Sequence, residues 1–307
     1  MTKPVVVGVD GSPSSLDAVG AASHEAAIRG AELRLVHAFG RSSSRLPAGG
    51  SGPPWNPAGA GVRELLDGTL AAAERRAHDV APQVDIARDV TVGEPLVVLE
   101  IASRTASLVV VGSRGLGAFS SLLLGSVSGH LAAHGRCPVL VVRGRPDPAG
   151  PVLLAVDDSP ASEEAVRFAF AEASLRGADL TALHACRTGS PDVYDGPADP
   201  PFVTYDETHL REHAERVLDA ALAGPGARHP DVTVVRRPVA GRVRHTLIEA
   251  SANAQLLVVG ARGRGGFRGL LLGSVSQAVL HHARCPVAVV RHRDEGPAAD
   301  GNEGDPP

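Results

Sequence analysis

The stretch GSRGLGAFSSLLLGSVS at 112–128 returns at 260–276 as GARGRGGFRGLLLGSVS, 148 residues later in a chain of 307. Each copy follows an apolar run and precedes a short helical pattern. A strand, a glycine loop and a helix N-terminus together can cradle a phosphate, because glycine lets the backbone approach the anion and the helix offers free N–H groups. Two copies in matching context predict two nucleotide-type sites, or one working site and one relic.

The repeat extends through the rest of the chain. The first strand pattern reads VVVGVDGSPSS at 5–15 and VLLAVDDSPAS at 152–162, so that Asp10 corresponds to Asp157. The closing segment RCPVLVVR at 136–143 returns as RCPVAVVR at 284–291, so the offset is 147 or 148 residues throughout. One duplicated domain explains these matches, since each copy has the usual size of a domain.

The domain boundaries follow from composition. We predict a first domain at 1–144 and a second at 151–292, joined by the Gly- and Pro-rich linker GRPDPAG at 144–150. The tail at 293–307 is acidic, rich in Pro and Gly and without apolar periodicity, and we predict that it is disordered.

Composition narrows the class of protein. The net charge of −4 argues against a nucleic-acid binder that works by bulk charge. No apolar stretch reaches 18 residues and the N-terminus enters a strand pattern directly, so we expect neither a membrane span nor a signal peptide. The cysteines, Cys137, Cys186 and Cys285, form no CxxC motif, which favours a reducing cytoplasm.

Lysine is nearly absent, and Lys3 is the only one. A P-loop, a protein kinase and a Schiff-base enzyme each need a lysine at the reacting group. The sequence therefore excludes these three classes from the body of the chain.

Apolar β-branched runs alternate with helical patterns in each half. In the first half they predict strands at 4–9, 32–38, 84–90, 107–112 and 138–143, and helices at 13–29, 61–79, 94–104 and 126–135. Continuous apolar strands indicate a parallel sheet covered on both faces, hence a doubly wound α/β domain. Ligands of such sheets bind beyond the strand C-termini. If the first and fourth strands are neighbours, Asp10 faces the loop that begins at Gly112.

On these residues both halves resemble the universal stress protein family in its ATP-binding branch. The matching features are the aspartate of VGVDGS and AVDDS, the Gly-x2-Gly-x9-Gly-Ser loop with the following Val-Ser, and the closing CPV strand. The resemblance covers residues 3–143 and 151–291. It implies two tandem Rossmann-like domains, each with a five-stranded parallel sheet of order 3-2-1-4-5.

The resemblance also implies a function. It predicts an ATP-binding regulator of stress response or signalling in the cytoplasm, not an enzyme, with slow ATP hydrolysis left open. The partner is an adenine nucleotide, with any Mg²⁺ held mainly by the phosphates. The two halves pair as an intramolecular pseudo-dimer, with or without a further homodimer, and the protein partner is unknown.

By the same resemblance each half has its set of ligand-binding residues. Adenine and ribose would lie near Val9, Asp10 and Ala38 in the first half, and near Val156, Asp157 and Ala185 in the second. Phosphates would lie on Gly112, Arg114, Gly115, Gly125, Ser126, Val127 and Ser128, or on Gly260, Arg262, Gly263, Gly273, Ser274, Val275 and Ser276. Ser126 and Ser274 are also expected to bind phosphate independently of the resemblance, since a hydroxyl and an N–H at a helix start both donate to anions.

The same residues also have structural interpretations that need no ligand. The glycine loops are alternatively tight turns without a ligand, and the two aspartates alternatively cap helices. His37 and His184 are expected to be structural histidines, and Cys137 and Cys285 small strand residues.

A zinc-peptidase spacing also occurs once, in His209-x2-Glu212-His213. The other repeat lacks it, so a solvated helix face explains it better.

Two alternative functions remain: a hydrolase or nucleotidyl transferase on a related sheet, and an interaction module that binds no nucleotide. The loops at 41–61 and 187–206 follow the second strand of each half, and each is either flexible surface, a lid or a loop that contacts a partner. The glycine loops also differ in charge. Arg114 is the one cation of the first, whereas the second has Arg262, Arg264 and Arg268, opposed by Asp158. We therefore expect tighter triphosphate binding in the second half.

Overall fold

The computed structural model describes residues 2–39, 60–116, 124–157, 159–186, 207–240, 242–263 and 271–292. The tail at 293–307, the loop at 187–206 and the loop at 41–61 up to residue 59 lie outside the described residues.

Strands and helices alternate in both halves, as predicted. The first half contains β1 (Val5–Gly8), α1 (Pro13–Arg29), β2 (Leu33–Phe39), α2 (Ala60–Val80), β3 (Ile86–Val92), α3 (Pro95–Ala102), β4 (Leu108–Gly112), α4 (Ser126–His134) and β5 (Val139–Val142). The second contains β6 (Val152–Ala155), α5 (Pro160–Arg176), β7 (Leu180–Cys186), α6 (Glu207–Arg228), β8 (Val234–Ala240), α7 (Val243–Ala250), a short 3-10 helix (Ser251–Asn253), β9 (Leu256–Gly260), α8 (Ser274–His282) and β10 (Val287–Val290).

The helix after each first strand begins and ends by the same chemistry. Ser12 caps α1 by accepting the N–H of Ser15 at 3.1 Å, and proline takes the first helical position. Gly30 ends α1 in the left-handed conformation, with φ of 56°. In the second half Ser159 and Gly177 do the same for α5.

All ten strands described form a single sheet, in the order β3-β2-β1-β4-β5-β10-β9-β6-β7-β8. Within each half neighbouring strands are parallel, and the order is 3-2-1-4-5. The halves join where β5 and β10 run antiparallel, with Leu140 opposite Ala288. The chain therefore forms one continuous sheet with an approximate two-fold axis between its halves.

Apolar side chains cover both faces of this sheet. Alternate residues of β1 lie in different clusters: Val5 and Val7 pack on one face and Val6 on the other. Phe170 of α5, the largest fully buried side chain, belongs to the first of these clusters. Burial on both faces explains why most strands are continuous apolar runs.

The third strand lies two residues later than predicted. It runs over Ile86–Val92, not 84–90, because Val84 lies in a turn, where its N–H donates to the carbonyl of Ala81 at 3.2 Å. It is also not continuously apolar, since exposure alternates along it and reaches 70% at Val92. An edge strand pairs with only one neighbouring strand and is covered less completely than an inner strand. Its hydrophobic pattern therefore differs from the continuous apolar runs of the inner strands. The other first-half boundaries lie within two residues of those predicted.

The linker packs on the second half. Gly144 has φ of 59°, and an added Cβ there would come within 2.0 Å of the carbonyl oxygen of Arg284. The N–H of Arg145 donates to the same carbonyl at 2.9 Å. The connection between the halves is thus fixed by hydrogen bonds. No helix in the described part of the chain has the length and apolar character needed to cross a membrane.

Four charged side chains form a buried cluster where α1 meets α5. Arg29 contacts both Glu25 and Glu172, and Arg176 contacts the same two carboxylates. The carboxylates are only 2–3% exposed. Burial and the nearby charge of Glu25 raise the pKa of Glu172 to about 7. Each arginine thus pairs once within its own helix and once across the two-fold axis.

We expect Arg29→Met to lower the free energy of unfolding by about 3 kcal/mol, because it leaves two buried carboxylates with one guanidinium between them. Arg34→Met is the matched control, since Arg34 pairs with Glu32 at the surface. It should cost less than about 1 kcal/mol. Urea unfolding of both variants makes the comparison, and equal losses would contradict a stabilising role for the cluster.

Candidate functional site

The candidate site lies at the C-terminal ends of β1, β2 and β4. Because β1 is hydrogen-bonded between β2 and β4, the chain leaves it at the point where strand order reverses. This topology brings Asp10, just after β1, to the glycine loop that begins at the end of β4. The second half repeats the arrangement with β6, β7 and β9.

Asp10 ties the end of β1 to the glycine loop. Its Oδ1 accepts the N–H of Ser12 at 2.9 Å, and its Oδ2 accepts the N–H of Leu116 at 3.0 Å. Burial raises the pKa of Asp10, but the hydrogen bonds from Ser12 and Leu116 outweigh it and hold the pKa below its ordinary value. The carboxylate is therefore ionised near neutral pH. The cap of α1 is Ser12, so Asp10 is not the capping residue of that helix.

Asp157 makes related contacts in the second half. Its Oδ1 accepts both the N–H and the hydroxyl of Ser159, at 3.0 and 2.5 Å. The Ser159 hydroxyl also lies 3.3 Å from the carbonyl oxygen of Arg262, in the second glycine loop. In the first half the aspartate itself bonds the glycine loop, whereas in the second half the helix cap Ser159 links Asp157 to the loop.

The second glycine of each loop is required by this aspartate. An added Cβ at Gly115 would lie 2.6 Å from Oδ2 of Asp10, and one at Gly263 would lie 2.2 Å from Oδ2 of Asp157. Real Cβ contacts are not that short, so a side chain would displace the carboxylate.

The first glycine is required by packing. An added Cβ at Gly112 would lie 2.5 Å from both the carbonyl oxygen and the hydroxyl of Ser14, in the first turn of α1. Sequence analysis did not single out Ser14, whose hydroxyl also lies 3.4 Å from the N–H of Arg114. The signal available was the serine-rich SPSS segment after the aspartate.

The last glycine of each loop is different, because nothing described around it demands glycine. Gly125 and Gly273 have φ of −74° and −71°, which any residue adopts. The nearest described atoms to an added Cβ are 3.5 Å away in both cases, an ordinary contact. Their N–H groups close the loops by donating to Ser113 and Ala261.

These glycines cap helices whose first N–H groups lack intrahelical partners. The first helical hydrogen bond of α4 runs from Gly129 to Gly125, at 3.0 Å. The N–H groups of Ser126, Val127 and Ser128 therefore have no acceptor within the helix. In α8 the first bond runs from Gln277 to Gly273, which leaves Ser274, Val275 and Ser276 in the same position.

The predicted serines divide into two kinds. Ser126 and Ser274 are exposed at the first helical position. Ser128 and Ser276 are buried, and their hydroxyls donate to the strand-end carbonyls of Gly112 and Gly260 at 2.6 and 2.7 Å. These two side chains hold the helix to the strand, so only their main-chain N–H groups are available to an anion.

The histidines of the second strands support the first strand ends. Nδ1 of His37 lies 2.8 Å from the carbonyl oxygen of Val9, and Nδ1 of His184 lies 2.7 Å from that of Val156. A carbonyl only accepts, so each Nδ1 carries the hydrogen. Burial lowers the pKa of His37, which favours the neutral ring. The next residues on these strands, Ala38 and Ala185, are half-buried, while the valine side chains pack in the core.

Other predicted residues lie apart from these contacts or outside the described residues. Arg114 and Arg262 are exposed on their loops, whereas Arg264, Arg268 and Asp158 lie outside the described residues. His209, Glu212 and His213 are all exposed on α6. Across the described ranges no group of three or more His, Cys, Asp and Glu side chains is arranged to hold a metal.

Comparison with known proteins identifies the family. The model of the universal stress protein family matches residues 1–143 and again 149–291. The chain belongs to the universal stress protein family. A universal stress protein of Mycobacterium tuberculosis is 39% identical over 306 residues, which covers 95% of this chain and 99% of that protein.

Further universal stress proteins match along the whole chain. One from Mycolicibacterium smegmatis is 40% identical over 305 residues, covering 94% of this chain and 97% of its own. The crystal structure of a universal stress protein from Archaeoglobus fulgidus shares the fold, with a TM-score of 0.65 at 20% identity, 95% of this chain and 97% of that one being covered. The duplicated family fold is thus present over both halves.

Substitutions at Gly112 and Gly125 of this universal stress protein are expected to differ in their effect on the free energy of unfolding. We expect Gly112→Ala to lower the free energy of unfolding by about 1–3 kcal/mol, because the methyl group meets the backbone of Ser14. Gly125→Ala should change it by less than about 0.5 kcal/mol, since an added Cβ makes only ordinary contacts with the described atoms, the nearest at 3.5 Å. Urea unfolding measures both, and a large loss for Gly125→Ala would mean that the fold needs this glycine.

Proposed function

We propose that this universal stress protein binds an adenine nucleotide in each half, with ATP as the ligand, and that nucleotide occupancy is the input to a stress response. The observation that carries the proposal concerns Gly125 and Gly273. Neither backbone conformation nor described packing requires glycine there, yet both positions adjoin a helix start with three N–H groups that lack intrahelical acceptors. A bound phosphate accounts for both features, because it approaches the backbone where a side chain would stand and accepts hydrogen bonds from the free N–H groups.

Main-chain donors would hold the phosphates. In the first half these are the N–H groups of Ser126, Val127 and Ser128, with the hydroxyl of exposed Ser126 beside them. Arg114 is exposed on the loop and free to turn toward the anion, where a guanidinium suits phosphate oxygens. In the second half Ser274, Val275, Ser276 and Arg262 have the same roles.

The nucleoside would lie toward β1 and β2. Asp10 is ionised and half-buried at the strand end, and Ala38 leaves room on the next strand. Oδ1 and Oδ2 of Asp10 each accept one main-chain N–H, and a carboxylate can accept further hydrogen bonds. It can thus receive a ribose hydroxyl without releasing the glycine loop. Asp157 and Ala185 are the counterparts in the second half.

Magnesium would come with the nucleotide. The described side chains offer no metal-binding group of three, so Mg²⁺ would be held mainly by phosphate oxygens. We infer a cytoplasmic protein, in keeping with the buried thiol of Cys285, which forms no disulfide.

Binding is expected to depend on the last glycine of each loop. The double variant Gly125→Ala/Gly273→Ala should weaken ATP binding at least about tenfold, equal to about 1.4 kcal/mol, because each methyl group enters the phosphate space. Isothermal titration calorimetry measures the affinity. The matched control is Gly68→Ala/Gly224→Ala, since nothing lies within 4 Å of an added Cβ at either helical glycine. Equal ATP affinity in both double variants would refute the site.

The two sites are expected to differ. A branched side chain blocks the phosphate space more fully than a methyl group, so with Gly125→Val the full chain is expected to retain only the second site, and with Gly273→Val only the first. ATP should bind the second site about threefold to thirtyfold more tightly, because its loop has two more arginines in the sequence. Calorimetry at low and high salt tests the cause, since screening should narrow the gap. A tighter first site would show that these arginines do not contact the ligand.

A further inference from the structure

Arg143 of the first half contacts α8, the helix whose N-terminus belongs to the candidate site of the second half. It directly follows β5, the last strand of the first half, and its guanidinium reaches the C-terminal end of α8 in the second half. Nη2 donates to the carbonyl of His281 at 2.6 Å, and Nη1 donates to the carbonyl of Leu280. The carbonyl oxygen of Val279 lies 3.4 Å from Nη1.

The carbonyls of Leu280 and His281 belong to the last turn of α8, where a helix lacks N–H partners of its own. A cation there satisfies the acceptors and stabilises the helix dipole. The helix has only nine residues, and a helix of that length depends on tertiary contacts for its stability and orientation. A guanidinium with two donors fixed to its end is such a contact.

The other end of α8 offers the N–H groups of Ser274, Val275 and Ser276. Arg143 therefore holds one end of the helix whose opposite end forms the proposed phosphate cradle. The same residue also adjoins the first site. The carbonyl of Val142, immediately before it, accepts the N–H of Ser113 at 3.0 Å, in the first glycine loop. Burial lowers the pKa of Arg143, and the like charge of Arg114 acts in the same direction.

We infer that Arg143 is a positioning residue for the nucleotide site of the second half: supplied by the first half, it fixes α8 so that the helix N-terminus holds its place against the phosphates. The inference rests on the proposed function of that site. It means that the second half binds nucleotide at full strength only when the first half is paired with it.

The test uses the full chain with one site left at a time. Arg143→Met is combined with Gly125→Val, which leaves the second site, and separately with Gly273→Val, which leaves the first. We expect the ATP dissociation constant of the second site to rise about three- to tenfold and that of the first to change less than twofold. Arg145→Met is the matched control, since Arg145 is an exposed arginine two residues away, and it should change neither.

Two further measurements separate positioning from general stability. Arg143→Lys keeps the charge with a single donor group, so its second-site affinity should lie between those of wild type and Arg143→Met. Amide hydrogen exchange without nucleotide should quicken in α8 of Arg143→Met and stay unchanged in α4. If Arg143→Met does not fold, the lysine variant decides by the same site comparison.

The outcomes distinguish failure of the nucleotide sites from failure of the positioning role of Arg143. If neither single-glycine variant binds ATP before Arg143 is changed, the proposed function fails and the positioning role fails with it. If both bind ATP but Arg143→Met weakens the two sites equally, or neither, the nucleotide sites stand and the positioning role is overturned.

Discussion

Three residue pairs of β5 and β10 lie opposite one another, and this short antiparallel ladder fixes how the two halves meet. Each half is a parallel sheet that could end at its fifth strand, but here the two fifth strands complete each other's hydrogen bonds. Once they are paired, α1 and α5 are brought together on one face, where the buried cluster of Glu25, Arg29, Glu172 and Arg176 forms. The same pairing puts Arg143 within reach of α8.

Three motif glycines of the first loop, Gly112, Gly115 and Gly125, differ in what surrounds them. Gly112 lets the first turn of α1 pack on the strand end, and Gly115 lets the carboxylate of Asp10 approach the loop. Gly125 meets neither demand among the described residues. A repeated motif thus combines positions that serve the fold with one position whose neighbours leave space. The distinction matters for mutagenesis, because among the described surroundings of these three glycines only those of Gly125 leave an added methyl group in ordinary contact.

Much of the fold could be predicted from the sequence, because duplication allowed each element to be seen twice. The helices that follow Ser12 and Ser159 were predictable from capping chemistry, and the inner strands from their apolar runs. The edge strand was misplaced, because Val84 is buried in a turn and gives the same local signal as a strand residue. For the candidate site, topology brings Asp10 to the glycine loop as predicted, but the partner N–H of Leu116 is a main-chain group in a loop and leaves no trace in residue type. The ion cluster and Arg143 were missed for a related reason. Charged residues on helices and strand ends usually face solvent, and only the arrangement of the halves buries these.

The β5–β10 ladder also has a consequence for synthesis on the ribosome. All strand partners of β1 to β4 lie within the first half, so that half can fold as soon as it has emerged. Its strand β5, however, waits for a partner that is translated about 145 residues later, at roughly 5–20 residues per second. During those seconds an apolar strand edge, Val139–Val142, is open to pairing with the wrong chain. A chaperone that covers the edge of β5 would therefore protect the nascent first half until β10 has been made.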